Sequence, residues 1–89
     1  MAQGTTTINF GSRATDASVA VSAPAITAGQ LVEAWIFPGA TASNTVDNHW
    51  VEQLKVVAGN VQAGVGFTIY GKVTEGWAHG VYNVGWVYN

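Results

Sequence analysis

The sequence predicts an all-β domain: a small antiparallel β-sandwich, jelly-roll-like or immunoglobulin-like, of six to seven short strands. Three observations lead there. Apolar and polar residues alternate with a period of two over residues 17–23, 65–73 and 81–88, as half-buried strands require. Glycine and β-branched residues are spread along the whole chain, and strong helix formers do not cluster. Turn signals separate the apolar runs at short intervals. At 89 residues the natural reading is one domain, 1–89.

Taken in order, residues 5–10 form a Thr-rich first strand with Ile8 and Phe10 on one side. Residues 17–23 set Val19 and Val21 against Ser18, Ala20 and Ser22, and Pro24, which cannot donate to a ladder, ends the strand. Ala28-Gly29 reads as a turn into a strand over 31–37. There Val32, Ala34 and Ile36 make one wholly apolar face, while Leu31, Glu33, Trp35 and Phe37 make the other. A carboxylate among those aromatics marks this second face as something other than ordinary core. Pro38-Gly39 stops the strand, and residues 40–48 form a polar connection. Asp47 suits the cap of a short turn over 48–53. Residues 50–57 also read as a strand, and the strand is the preferred reading.

Gly59-Asn60, between two apolar runs, is a two-residue hairpin signal. Over 65–73, Val65, Phe67, Ile69 and Val73 face one way and Thr68, Tyr70 and Lys72 the other. Gly66 and Gly71 there suit bulges or close backbone approach. Residues 74–80 read as a hairpin loop carrying Trp77 and His79. The last strand, 81–88, puts Tyr82, Val84, Trp86 and Tyr88 on one face.

Composition bears on function. Only 9% of the residues are charged, against about 25% in a typical soluble domain. Four Trp, three Tyr and three Phe overfill so small a core. A domain of this size buries only about 60–65% of its unfolded surface and is marginal alone. With no cysteine, neither a disulfide nor a thiolate metal site can compensate, which leaves oligomerisation as the common staple. Arg13, Lys55 and Lys72 are too few and too scattered for a basic patch, so nucleic acid is not an expected partner. The first residues lack a positive segment and an apolar segment, so no signal peptide is read there. The apolar runs are too short for a transmembrane helix, and no membrane association is expected. Synthesis and folding in the cytoplasm are the expectation.

The densest polar cluster is Asp47-Asn48-His49-Trp50-Val51-Glu52. His and carboxylates are metal ligands, and His79 and Glu75 suit a joint site. No tight ligand spacing supports that, so a capped polar connection with a hydrogen-bonded His49 is preferred, and no metal or cofactor is expected. No pair drawn from Asp16, Glu33, Asp47, Glu52 and Glu75 is brought together by sequence. No nucleophile elbow or phosphate loop is present, so catalysis is not expected. The aromatics offer more. Trp35, Trp50, Trp77, Tyr70 and Tyr82 suit a sugar platform, but core and subunit packing also enriches Trp and Tyr and is the preferred reading. The interface candidates are therefore Leu31, Trp35 and Phe37 on one face and Tyr82, Trp86 and Tyr88 on another, with Tyr70. One of the two faces must line the core. His49, Trp50, Trp77 and His79 are the candidate ligand loops.

Several stretches occur together in one order: Ile8-Asn9-Phe10-Gly11, Thr15-Asp16-Ala17-Ser18-Val19-Ala20-Val21, Val32-Glu33-Ala34-Trp35, Asp47-Asn48-His49-Trp50-Val51-Glu52, Val57-Ala58-Gly59-Asn60-Val61, Gly66-Phe67-Thr68-Ile69-Tyr70 and Gly85-Trp86-Val87-Tyr88-Asn89. Over nearly the whole chain this resembles a group of small virion-associated proteins of tailed bacteriophages and prophages. The chain is shorter than that family near 44–49 and over 74–80. The resemblance implies a virion structural component, with no catalytic residue to carry over. A capsid decoration or cement subunit, or another small head or neck part, fits best. Such a subunit would assemble as a homotrimer and dock on the major coat protein or another virion protein. A carbohydrate-binding module of a tail fibre or spike is the alternative.

Overall fold

Alternating burial sets the faces of every strand. In the computed structural model, which describes residues 2–51, 54–74 and 76–89 (the side chains of Trp50 and Val51 excepted), six strands and one short helix are present among the described residues. They run β1 Ala2–Asn9, β2 Asp16–Ser22, β3 Val32–Ile36, α1 Val46–Val51, β4 Leu54–Gln62, β5 Gly66–Val73 and β6 Val81–Tyr88. Two three-stranded antiparallel sheets, ordered β1-β6-β3 and β2-β5-β4, pack face to face as a small all-β sandwich. β1 lies over β2 and β3 over β4. Of the connections between successive strands, only β4 to β5 stays within one sheet. Among the described residues no helix is long and apolar enough to cross a membrane.

The core lies between the sheets. From one side come Ile8 of β1, Tyr82, Val84 and Tyr88 of β6 and Ala34 of β3; from the other come Phe67, Ile69 and Val73 of β5. Rings meet edge to face, as their quadrupoles favour: Phe10 with Tyr82 at 5.7 Å between centroids, and Phe67 with Trp86 at 5.4 Å. The question of the two aromatic faces is thereby resolved. Tyr82 is 1% exposed, Tyr88 is buried, and Trp86 packs inward against them, so this face is core and the interface reading of these three residues is corrected. The physical reason is the pairing of β6 as the central strand, which leaves its inward face nowhere but the sandwich interior.

Two glycines carry the close approach expected of them. A side chain at Gly66 would strike the carbonyl oxygen of Val21, and a Cβ at Gly71 would lie 2.8 Å from Ile8 Cδ1. Other expectations change. The hairpin between β4 and β5 turns at Gln62–Val65, closed by a 2.9 Å bond from Val65 N to Gln62 O, with Gly64 at φ +75°. Gly59 and Asn60 lie inside β4, at a bulge where Asn60 takes φ +55°. Asn tolerates that conformation, so the pair kinks a strand instead of reversing it. The hairpin read across 74–80 is corrected too, because β5 and β6 lie in different sheets.

The strand read over 50–57 holds over 54–57 and is corrected at Trp50 and Val51, while residues 52 and 53 lie outside the described residues. The chain is helical through Val51, and β4 begins at Leu54. Thr45, not Asp47, caps that helix. The Asn48 amide donates to Thr45 Oγ1 at 3.2 Å, and Asn48 Oδ1 accepts from the Thr45 amide at 2.9 Å. This is a reciprocal capping box, with Asn in the third position.

Candidate functional site

The outer face of the β1-β6-β3 sheet is built from the alternate residues of three strands. Antiparallel register sets Gln3, Val87 and Glu33 in one row and Thr5, Gly85 and Trp35 in the next. Trp35 and Phe37 stand out from this face, 44% and 47% exposed. Gly85 explains the pose of Trp35: a Cβ there would lie 2.7 Å from the indole, so the ring lies across a gap that only glycine leaves. Gln3, Thr5, Trp35, Phe37 and Gly85 line a shallow depression there. Leu31 continues the row beyond the strand end, 80% exposed, and is tied in by reciprocal bonds to Asn89 of 2.9 and 3.0 Å. The face expected to be something other than core is thus the exposed one, and Glu33 sits on it in solvent.

The other candidates lie apart. Tyr70 is exposed on the outer face of the second sheet, opposite Val57 in register, in the row next to the paired Lys55 and Lys72. Trp77 is 60% exposed in the connection from β5 to β6, with the Arg13 guanidinium 4.4 Å above its ring. The neighbouring bridge between Ala14 and Ala78 holds the two together, so a scarce cation covers one aromatic face through a cation–π contact. His79 is exposed, and its backbone carbonyl accepts from Asn44 Nδ2 at 2.9 Å. The ring of Trp50 lies outside the described residues, as do Glu52 and Glu75.

His49 is placed differently from a ligand. It is 2% exposed, against the Tyr82 ring at 5.0 Å. Its Nε2 accepts the Asn83 amide at 2.9 Å, and its Nδ1 meets the Thr45 carbonyl at 2.7 Å. An acceptor at Nε2 and a donor at Nδ1 define one neutral tautomer with both nitrogens occupied. The reason for the contact is visible in the ladder. Phe37 N donates to Asn83 O at 3.0 Å, but the chain then turns away at Pro38, and His49 supplies the acceptor that the strand no longer offers. Asn83 Nδ2 ties the same departure to Gly39 O at 2.8 Å. Among the described residues no three His, Asp or Glu side chains come together as a metal site would need.

Sequence reasoning missed Gly85 as the support of Trp35 and Arg13 as the cover of Trp77. The first had a signal, a glycine inside a strand pattern. The second had none, because the pairing depends on residues far apart in the chain. No family model, no curated protein and no solved structure matches this chain.

Proposed function

We propose that this chain is a non-catalytic assembly module, a structural component of a tailed-phage virion such as a capsid decoration or cement subunit or a small head or neck part. The observation that carries the reading is the outer face of the β1-β6-β3 sheet, where Trp35 on β3 and Phe37 just past its end stand half-exposed while the core is filled by other aromatics. Fixed rings of this kind make low-entropy anchors at protein interfaces. Among the described residues no polar constellation is assembled, which favours docking over turnover. Both His49 nitrogens are used internally, and the described carboxylates Asp16, Glu33 and Asp47 stand exposed on separate elements. The virion setting comes from the family resemblance. Its partners are then copies of itself and a repeated coat surface, where several weak contacts add to firm attachment. It would be made in the host cytoplasm and end in the particle.

One observation favours the second reading, a carbohydrate-binding module of a fibre or spike: the hydrogen-bonding residues Gln3 and Thr5 line the same depression as Trp35. The deciding experiment offers the purified protein both coat shells that lack it and a glycan array. Binding to shells, with raised resistance of the shells to heat, supports the virion role. Glycan binding without shell binding moves the function to the second reading.

A further inference from the structure

The four sheet edges are not alike. On one side of the sandwich lie β3 and β4. β3 is five residues long, carries Glu33 and runs into Pro38; β4 carries Lys55 and the bulge at Asn60. Short length, charge, proline and bulges are the devices that block edge pairing. On the other side lie β1 and β2. β1 runs eight residues and β2 seven, both in unbroken register, and their only charged residue is Asp16 at the start of β2. The inward residues Gly4, Thr6, Ala17, Val19 and Val21 along this side are only half-buried.

We infer that the β1–β2 side is a two-fold self-association surface, on which a second copy of this chain pairs antiparallel, edge to edge, with both strands at once. This names the self-association surface of the proposed assembly module and rests on that reading only for its purpose. Phe10 N bonds to Gly80 O, toward β6, so the odd residues Gln3, Thr5, Thr7 and Asn9 turn their backbone groups outward. Val73 N bonds to Thr15 O and Ala23 N to Val65 O, so in β2 the even residues Asp16, Ser18, Ala20 and Ser22 face outward. A two-fold axis through Thr6 sets Thr5 opposite Thr7 and Gln3 opposite Asn9, all outward-bonding, and fits Ile8 against Gly4 on the inner face. An axis through Val19 sets Ser18 opposite Ala20 and Asp16 opposite Ser22. Like charges face each other in neither.

One axis serves both strands. Ile8 Cδ1 approaches Gly71, the partner of Ala17, and Phe67, the partner of Val21, meets Trp86, the partner of Gly4. Thr6 therefore stacks over Val19. Extents of 35 × 20 × 17 Å bound this long side at roughly 600 Å², so full contact buries about 1,200 Å² over two copies, the lower end of specific interfaces. A two-fold contact sets the self-association at two copies in place of the three expected from the sequence.

The test is sedimentation equilibrium of the full chain with three proteins. Wild type is expected to be a dimer at tens of micromolar. S18K/A20K, at exposed positions where an edge tolerates lysine, sets cation against cation across the axis and is expected to weaken dimerisation at least about tenfold, with the β circular dichroism spectrum kept. S18K/A20E sets cation against anion and is expected to restore it. A monomeric wild type, a dimer indifferent to S18K/A20K, or no rescue by S18K/A20E overturns the inference. A wild-type monomer that still binds coat shells overturns the two-fold contact and leaves the assembly reading standing; a dimer that ignores shells does the reverse.

Discussion

His49 shows how much one side chain carries here. It stands in for a strand carbonyl where β3 departs, so its removal leaves the part-buried Asn83 amide without its acceptor and opens a void beside Tyr82. His49→Ala is expected to cost about 2–4 kcal/mol in urea unfolding, from a lost acceptor and a cavity together. A loss below about 0.5 kcal/mol would show that the ring only fills a surface notch. Trp86 makes the opposite case. Its indole N–H is buried and meets no hydrogen-bond partner among the described residues. Trp86→Phe removes that cost while keeping a ring against Phe67, so it is expected to cost less than about 1.5 kcal/mol, whereas Trp86→Ala is expected to cost about 3–5 kcal/mol. Equal losses in the two variants would mean that a ring kept against Phe67 contributes no packing there.

At the scale of elements, the strands were the legible part. The alternation in 17–23 and 81–88 is legible because each strand has one face turned to the other sheet, half-buried in β2 and largely buried in β6. Local signals failed where tertiary structure reused them. Gly59-Asn60 has the composition of a turn, but Gly64 makes the turn and Asn60 the bulge. Gly64→Ala, at φ +75°, is therefore expected to cost about 1 kcal/mol by thermal unfolding. Gly59→Ala meets nothing within 4 Å and is expected to stay within about 0.5 kcal/mol. The reverse order would restore the hairpin at Gly59-Asn60. The helix Val46–Val51 is six residues long, too short to show a helical period, and only Thr45 and Asn48 betrayed its start.

At the scale of the molecule, local pattern left one choice open. Both β3 and β6 carry large apolar residues, and periodicity alone does not say which of their faces points inward. Strand order decides it: β6 is central and buries Tyr82 and Tyr88, while β3 is an edge that turns Trp35 outward, with Phe37 exposed just past its end. Phe67, inward on the central strand of the other sheet, is read the same way from sequence and structure, and Phe67→Ala is expected to cost about 3–5 kcal/mol, enough to unfold so small a domain. On the proposed reading the outer aromatic face is the docking surface. Its most direct test is the affinity of wild type and Trp35→Ala for coat shells that lack the protein, measured by co-sedimentation after circular dichroism has shown the variant folded. The account predicts that wild type binds and that Trp35→Ala binds about 30-fold more weakly, the loss of one central aromatic anchor. Equal affinity of the two proteins would contradict it.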